Sequence, residues 1–292
     1  MTFPQRTSFF FLVLICSCSF CSFAQLPDTD IWLLDVRDSL GGIALKNPVN
    51  FTNRDGYDNQ PAFSPDGRYI LFTSIREGTQ SDIYKYELSS GKTSRFTFTP
   101  ESEYSPTFMP DGKSISVVRV EQDSTQRLWK FPIEGGEPSL VLKSIKNIGY
   151  HYWINPNTLA LFLLPSPFSL VVARLNTGQT IQVDDSIGRC IQSTGSENQW
   201  TYLKKTSDST GRICRMDGSD RLAWKMPALK KSEDYAWLDD SSALMAKGSC
   251  IYKVSYPNQT QLIADLSKSG IYKIGRLVLS KDKKKLALVT TK

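Results

Sequence analysis

The stretch Pro61-Ala62-Phe63-Ser64-Pro65-Asp66-Gly67-Arg68-Tyr69-Ile70-Leu71-Phe72 decides the fold. It reads as a strand, a tight turn and a second strand. Pro65 presets its own φ, Asp66 can cap the backbone beyond it, and Gly67 takes the positive φ that other residues resist. The same pattern returns 45 residues later as Pro106-Thr107-Phe108-Met109-Pro110-Asp111-Gly112-Lys113-Ser114-Ile115-Ser116-Val117. Pro65, Asp66, Gly67, Pro110, Asp111 and Gly112 are therefore assigned to turns, and a structural duty accounts for both aspartates.

Weaker copies follow. With Asp66, Asp111, Pro156, Glu197, Asp240 and Asp282 as turn centres, the spacings are 45, 45, 41, 43 and 42. A period of this length marks a repeat architecture in which each unit buries its apolar faces against its neighbours. After each turn comes a third strand with period-two alternation, such as Asp82–Leu88 with Tyr84, Tyr86 and Leu88 on one apolar face. Short fourth strands are expected over Ser94–Phe98, Ser139–Leu142 and Gln261–Ala264. The unit around Asp282 lacks its outer half, and Asp30–Val36 with Val49–Thr52 supplies it. The expected fold is all-β, a six-bladed β-propeller with four-stranded blades. N- and C-terminal strands share one blade and so remove the open seam.

The unit Asp58-Asn59-Gln60-Pro61-Ala62-Phe63-Ser64-Pro65-Asp66-Gly67, and its second copy from Glu103 to Gly112, resembles the WD40-like PD40 repeat of TolB-type propellers. The resemblance extends over residues 26–292, strongest in two units. No counterpart of an additional N-terminal α/β domain is recognisable. The resemblance implies periplasmic export and protein–protein interaction, in some members with a cation in the central channel. Related propellers also serve peptidases and oligogalacturonate lyases, so fold alone does not choose a function.

The N-terminus reads as an address. Arg6, the apolar run Phe9–Ile15 and the small residues of Ser22-Phe23-Ala24 form a secretory leader over residues 1–24. One propeller domain is expected over 25–292, periplasmic, or else secreted or lipid-anchored at Cys18. No transmembrane span is expected in the mature chain. The chain of 292 residues carries 35 Lys and Arg against 29 Asp and Glu, a net charge of +6. These charges are interspersed and do not form the clustered patch that nucleic acid requires. Cys190, Cys214 and Cys250 remain after the leader, an odd number that admits at most one internal disulfide.

A single histidine, His151, excludes any multi-histidine metal centre. No Gly-x-Ser-x-Gly elbow is present for a serine hydrolase. His151 aligns with Pro61 and Pro106 on an innermost strand and so faces the channel. Asp58, Glu103, Tyr104, Tyr150, His151, Asp234 and Tyr235 are the candidate partner- or ligand-binding residues at the channel mouth. Asp55, Asp58 and Glu103 are the candidates for calcium, the one cofactor considered. The expectation is an exported, non-enzymatic and monomeric module that binds a protein or peptide partner. The alternative is a small-ligand or cation-binding sensor, or a channel-site enzyme.

Overall fold

Each turn is closed by its own side chains. In the computed structural model, which describes residues 27–39, 42–196 and 198–292, Asp66 Oδ1 accepts from Ser64 Oγ at 2.7 Å and from Arg68 N at 3.1 Å. Asp111 does the same for Lys113 N and Ser114 N. Gly67 and Gly112 sit at φ 70° and 65°. In the fifth unit Asp239, rather than Asp240, caps the turn through Ser241 N and Ser242 N. The leader, Cys18 and the turn centre Glu197 lie outside the described residues.

The strands run, in chain order, β1 Thr29–Ser39, β2 Gly42–Asn50, β3 Asp58–Phe63, β4 Tyr69–Ile75, β5 Ser81–Glu87, β6 Thr93–Arg95, β7 Ser102–Phe108, β8 Ser114–Val120, β9 Gln126–Pro132, β10 Ser139–Leu140, β11 Ile148–Asn155 and β12 Thr158–Leu163. Then come β13 Ser169–Arg174, β14 Thr180–Asp184, β15 Ile187–Ser193, β16 Trp200–Lys205, β17 Gly211–Met216, β18 Leu222–Pro227, β19 Tyr235–Trp237, β20 Ser242–Lys247, β21 Cys250–Ser255, β22 Gln259–Asp265, β23 Ile274–Leu279 and β24 Lys285–Thr291. They form six antiparallel four-stranded sheets. Blades 1 to 5 take four consecutive strands each from β3 onward. Blade 6 has the order β2-β1-β24-β23, so the N-terminal strands complete the last blade. β1 pairs with β24 from Thr29 opposite Thr291 to Asp35 opposite Lys285.

Six apolar clusters hold the ring, one in each gap between neighbouring blades. The seam blade is packed like the others. Leu34 and Val36 meet Leu244 and Ile251 of blade 5, while Ile31 meets Phe72 and Tyr84 of blade 1. The third strands, expected to carry one apolar face, bury both. Ile83, on the face opposite Tyr84, is fully buried, as are Leu128, Val172 and Ile213. A blade between two neighbours buries both faces, so alternation marks which gap a side chain fills rather than core against solvent.

The outermost strands depart most from expectation. The closing blade's fourth strand is Gly42–Asn50, and Phe51 and Thr52 lie beyond it. β6 and β10 are shorter than their sequence assignments, and β22 is longer. These strands pair on one edge only, so little in their own sequence fixes where pairing stops. Cys190, Cys214 and Cys250 are all free thiols. No helix among the described residues is long and apolar enough to cross a membrane.

Candidate functional site: the channel mouth and the Phe98 cleft

The innermost strands stand in register around the axis. Phe63, Phe108, Trp153, Ser193, Trp237 and Leu279 share one level, each paired with the second strand beside its hairpin. Three residues earlier stand Gln60, Ser105, Tyr150, Cys190, Asp234 and Arg276, one from each blade. All six line a single cavity of about 200 Å3 in the channel. Gln60 and Ser105 have φ of 56° and 55° at bulges in the ladder. A bulge re-aims the side chains around it. Gln60 Oε1 accepts from Ser105 N at 2.8 Å, linking blades 1 and 2 at this level.

Opposite them lies the charge. Arg276 donates through Nη2 to the Tyr150 hydroxyl at 2.7 Å, and its Nη1 lies 3.8 Å from Asp234 Oδ2. Burial works against the Arg276 charge, but Asp234 and Tyr150 more than offset it and hold its pKa above the ordinary value. Arg189 Nε stands 2.9 Å from Asp234 Oδ1 as an ion pair, at an angle that makes no hydrogen bond. Arg189 also reaches Glu233 at 3.4 Å and donates to Gly275 O at 2.7 Å. Burial pushes the Tyr57 hydroxyl far above its usual range at this end of the channel, with Arg276 opposing in part.

His151 is 8% exposed. Its Nε2 lies 2.7 Å from Ser116 Oγ, which accepts the Trp153 indole N–H at 2.9 Å. Ser116 Oγ in turn donates toward Thr107 O at 3.4 Å. Burial alone lowers the His151 pKa to about 3, so the ring is neutral. The arrangement repeats two blades on. Thr201 Oγ1 there accepts the Trp237 indole at 3.0 Å and the Tyr235 hydroxyl at 3.0 Å. His151 and Tyr235 thus hold equivalent positions, each tied to the hydroxyl of the preceding blade. Tyr235 is fully buried. His151 differs in lining the cavity with Nδ1 lacking a partner within the chain.

The acidic candidates have other surroundings. Asp58 is fully buried and accepts from Arg54 Nη1 at 2.9 Å and from Ser74 Oγ. Asp55 is fully exposed beside Lys292. Glu103, also fully buried, accepts Thr97 Oγ1 at 2.7 Å and Thr99 Oγ1. Burial raises the Glu103 pKa to about 7 against the pull of these two hydroxyls. Among the described residues no three His, Cys, Asp or Glu side chains gather as a metal centre. Of the sequence candidates, Tyr150, His151 and Asp234 line the cavity, and Tyr104 stands beside Tyr57 at the same end. Gln60, Ser105, Arg189, Cys190 and Arg276 were not anticipated. The signal was available. Arg276 precedes Asp282 by six residues, as Gln60 precedes Asp66 and Tyr150 precedes Pro156.

Glu103 has a second consequence. Thr97 and Thr99 both turn inward onto its carboxylate, which leaves the intervening Phe98 on the opposite side, 75% exposed. Phe98 stands at a cleft of about 550 Å3 between the outer parts of blades 1 and 2. Phe96, Trp129, Phe131, Ile133 and Pro138 wall it. The Arg119 guanidinium lies 4.6 Å from the Trp129 ring centroid and pairs with Glu101. Arg95 lies 5.1 Å from the Phe98 centroid and pairs with Asp82 at 2.8 Å. Both cations are ion-paired within the chain and lie against aromatic rings, so the cleft combines aromatic walls with the polar Thr97, Thr99, Arg119 and Glu137.

Residues 27–160 match the family model PD40, described as the TolB beta propeller domain. No curated protein matches the sequence. Among solved structures, the chain is similar to a protein described as TolB from Agrobacterium tumefaciens, at 12% identity and TM-score 0.62, covering 91% of this chain and 99% of that one. It is similar to TolB from Acinetobacter baumannii at 13% identity and TM-score 0.59, covering 90% of this chain and 64% of that longer one. It is also similar to an oligogalacturonate lyase in complex with manganese, at 13% identity and TM-score 0.53, with 86% and 82% covered. At these identities the likeness is one of fold. The repeated turns and the ring of six blades make this chain a six-bladed β-propeller, whose residues 27–160 match the PD40 model of the TolB beta propeller domain.

Proposed function

We propose that this chain is an exported, non-enzymatic interaction module of the bacterial cell envelope that docks an apolar segment of a protein partner in the Phe98 cleft. One observation carries the reading. A phenylalanine three-quarters exposed is held outward by two threonine–glutamate hydrogen bonds, one of them buried, at the edge of a cleft with aromatic walls. An exposed apolar patch with a polar surround is the usual mark of an interaction site. Aromatic anchors in desolvated pockets carry most of the energy at such interfaces. The leader read from residues 1–24 supports export. The cleft volume lies in the range of about 300–1,000 Å3 that ligand pockets occupy.

The test is capture from envelope extract of the native organism, with tagged wild-type protein and Phe98→Asp as paired baits. The reading predicts one dominant envelope protein on the wild type that is lost from the variant. Equal capture by both baits, or no specific protein on either, contradicts it.

A further inference from the structure

Buried polar groups in folded proteins nearly always find hydrogen-bond partners, and exceptions call for a reason. Among the described residues, seven buried side-chain atoms have none within the chain: Ser105 Oγ, Arg119 Nε, His151 Nδ1, Arg189 Nε, Thr194 Oγ1, Trp200 Nε1 and Asp234 Oδ1. Four of these, on Ser105, His151, Arg189 and Asp234, belong to residues lining the channel cavity, with Arg189 Nε and Asp234 Oδ1 facing each other at 2.9 Å as an ion pair. They come from four different blades, so no single strand's irregularity accounts for the concentration.

The charge at this place is unbalanced. The linked group holds three cations, Arg189, Lys205 and Arg276, against two carboxylates, Glu233 and Asp234. One positive charge is left over. The Arg276 contacts to Tyr150 and Asp234 use only part of the five N–H donors that a guanidinium carries. Guanidinium geometry matches a carboxylate in a two-point, charge-assisted pair. Ser105 adds a neutral hydroxyl donor.

We propose that the channel cavity binds a small monocarboxylate, its oxygens held by the Arg276 guanidinium with Ser105 Oγ completing the hydrogen bonds. Asp234 restricts the excess to one positive charge, so a single carboxylate is preferred over a phosphate dianion. The cavity of about 200 Å3 corresponds to the liquid volume of about seven waters at ~30 Å3 each. It admits a carboxylate with a short stem and excludes a folded domain. A free organic acid and the C-terminal carboxylate of a peptide share this chemistry. The site is separate from the Phe98 cleft, and the proposal stands independently of that reading.

The test is thermal unfolding of the full mature protein at constant ionic strength, with N-acetylglycine, N-acetylglycinamide and inorganic phosphate as probes. N-acetylglycine is expected to give a saturable rise of about 3 °C at ten times its Kd. The amide is expected to give none, and phosphate much less. Arg276→Gln and Ser105→Ala should each weaken the effect at least tenfold, with the fold checked by near-ultraviolet circular dichroism. Ser105 Oγ has no partner in the chain, so Ser105→Ala keeps the test decisive if Arg276→Gln fails to fold. No saturable rise, an equal rise with the amide or with phosphate, or unchanged binding in Ser105→Ala overturns the proposal. Pentaglycine with a free C-terminus separates the two sources. Binding as tight as N-acetylglycine identifies a peptide terminus, and binding by the short acid alone identifies a free acid. Either result upholds the carboxylate site.

Discussion

Arg276 and Tyr150 join opposite sides of the ring. They lie 126 residues apart, on β23 of blade 6 and β11 of blade 3, and the 2.7 Å hydrogen bond between them bars the channel at the level of the polar ring. The bond carries stability as well as shape, because the guanidinium is largely buried. Tyr150→Phe keeps the ring packing against Phe162 and removes only the acceptor. It should cost about 1–3 kcal/mol, the range for a hydrogen bond to a charged group. Urea unfolding measures this directly, and a variant as stable as the wild type would show that Arg276 is satisfied elsewhere.

Glu103 makes stability depend on pH with an unusual sign. Its pKa rises from 4.5 to about 7 on folding, so between these values the native state binds more protons than the unfolded chain. Its contribution is fully present below pH 4.5 and is lost as pH rises through about 7. At 1.36 kcal/mol per unit, the loss is of order 3 kcal/mol. His151 acts oppositely. Its pKa falls from 6.5 to about 3, so its contribution is present above 6.5 and declines as pH falls. Between 4.5 and 6.5 the two slopes cancel. Glu103→Gln removes one of them. The variant should gain on the wild type as pH rises from 5 to 7, read from urea midpoints at pH 5, 6 and 7. A difference that stays constant across that range would contradict the assignment.

The seam should be as strong as the other blade contacts. Leu34 on β1 is 1% exposed and packs against blade 5. Leu34→Ala should cost about 2–5 kcal/mol, as deletions in a full-density core do. A cost below 1 kcal/mol would mean that blade 6 is loosely closed.

Fold and site were legible to different depths. The Pro-Asp-Gly turns were readable because a turn's chemistry is local: Asp66 accepts from Ser64 and Arg68, each two positions away. The closure was readable because Asp30–Val36 has a strand's alternation and the last unit lacks its outer half. The polar ring was harder, since Gln60, Tyr150 and Arg276 share nothing chemically and only their register unites them. Asp58 and Glu103 looked like mouth residues because they precede innermost strands. Arg54 precedes Asp58 by four residues and Thr99 precedes Glu103 by four, but in a loop that spacing alone does not bring side chains together. Phe98 was placed in a strand, and its exposure follows from Glu103, whose hydrogen bonds with Thr97 and Thr99, six and four residues away, depend on a loop conformation that no strand or turn pattern specifies.

The most direct test of the interaction account is a photo-crosslinking phenylalanine analogue placed at position 98, compared with the same analogue at Leu222, which is 52% exposed on β18. After irradiation in native cells, the account predicts one discrete adduct with an envelope protein from position 98 and none from position 222. No adduct from position 98, or the same adduct from both positions, would contradict it.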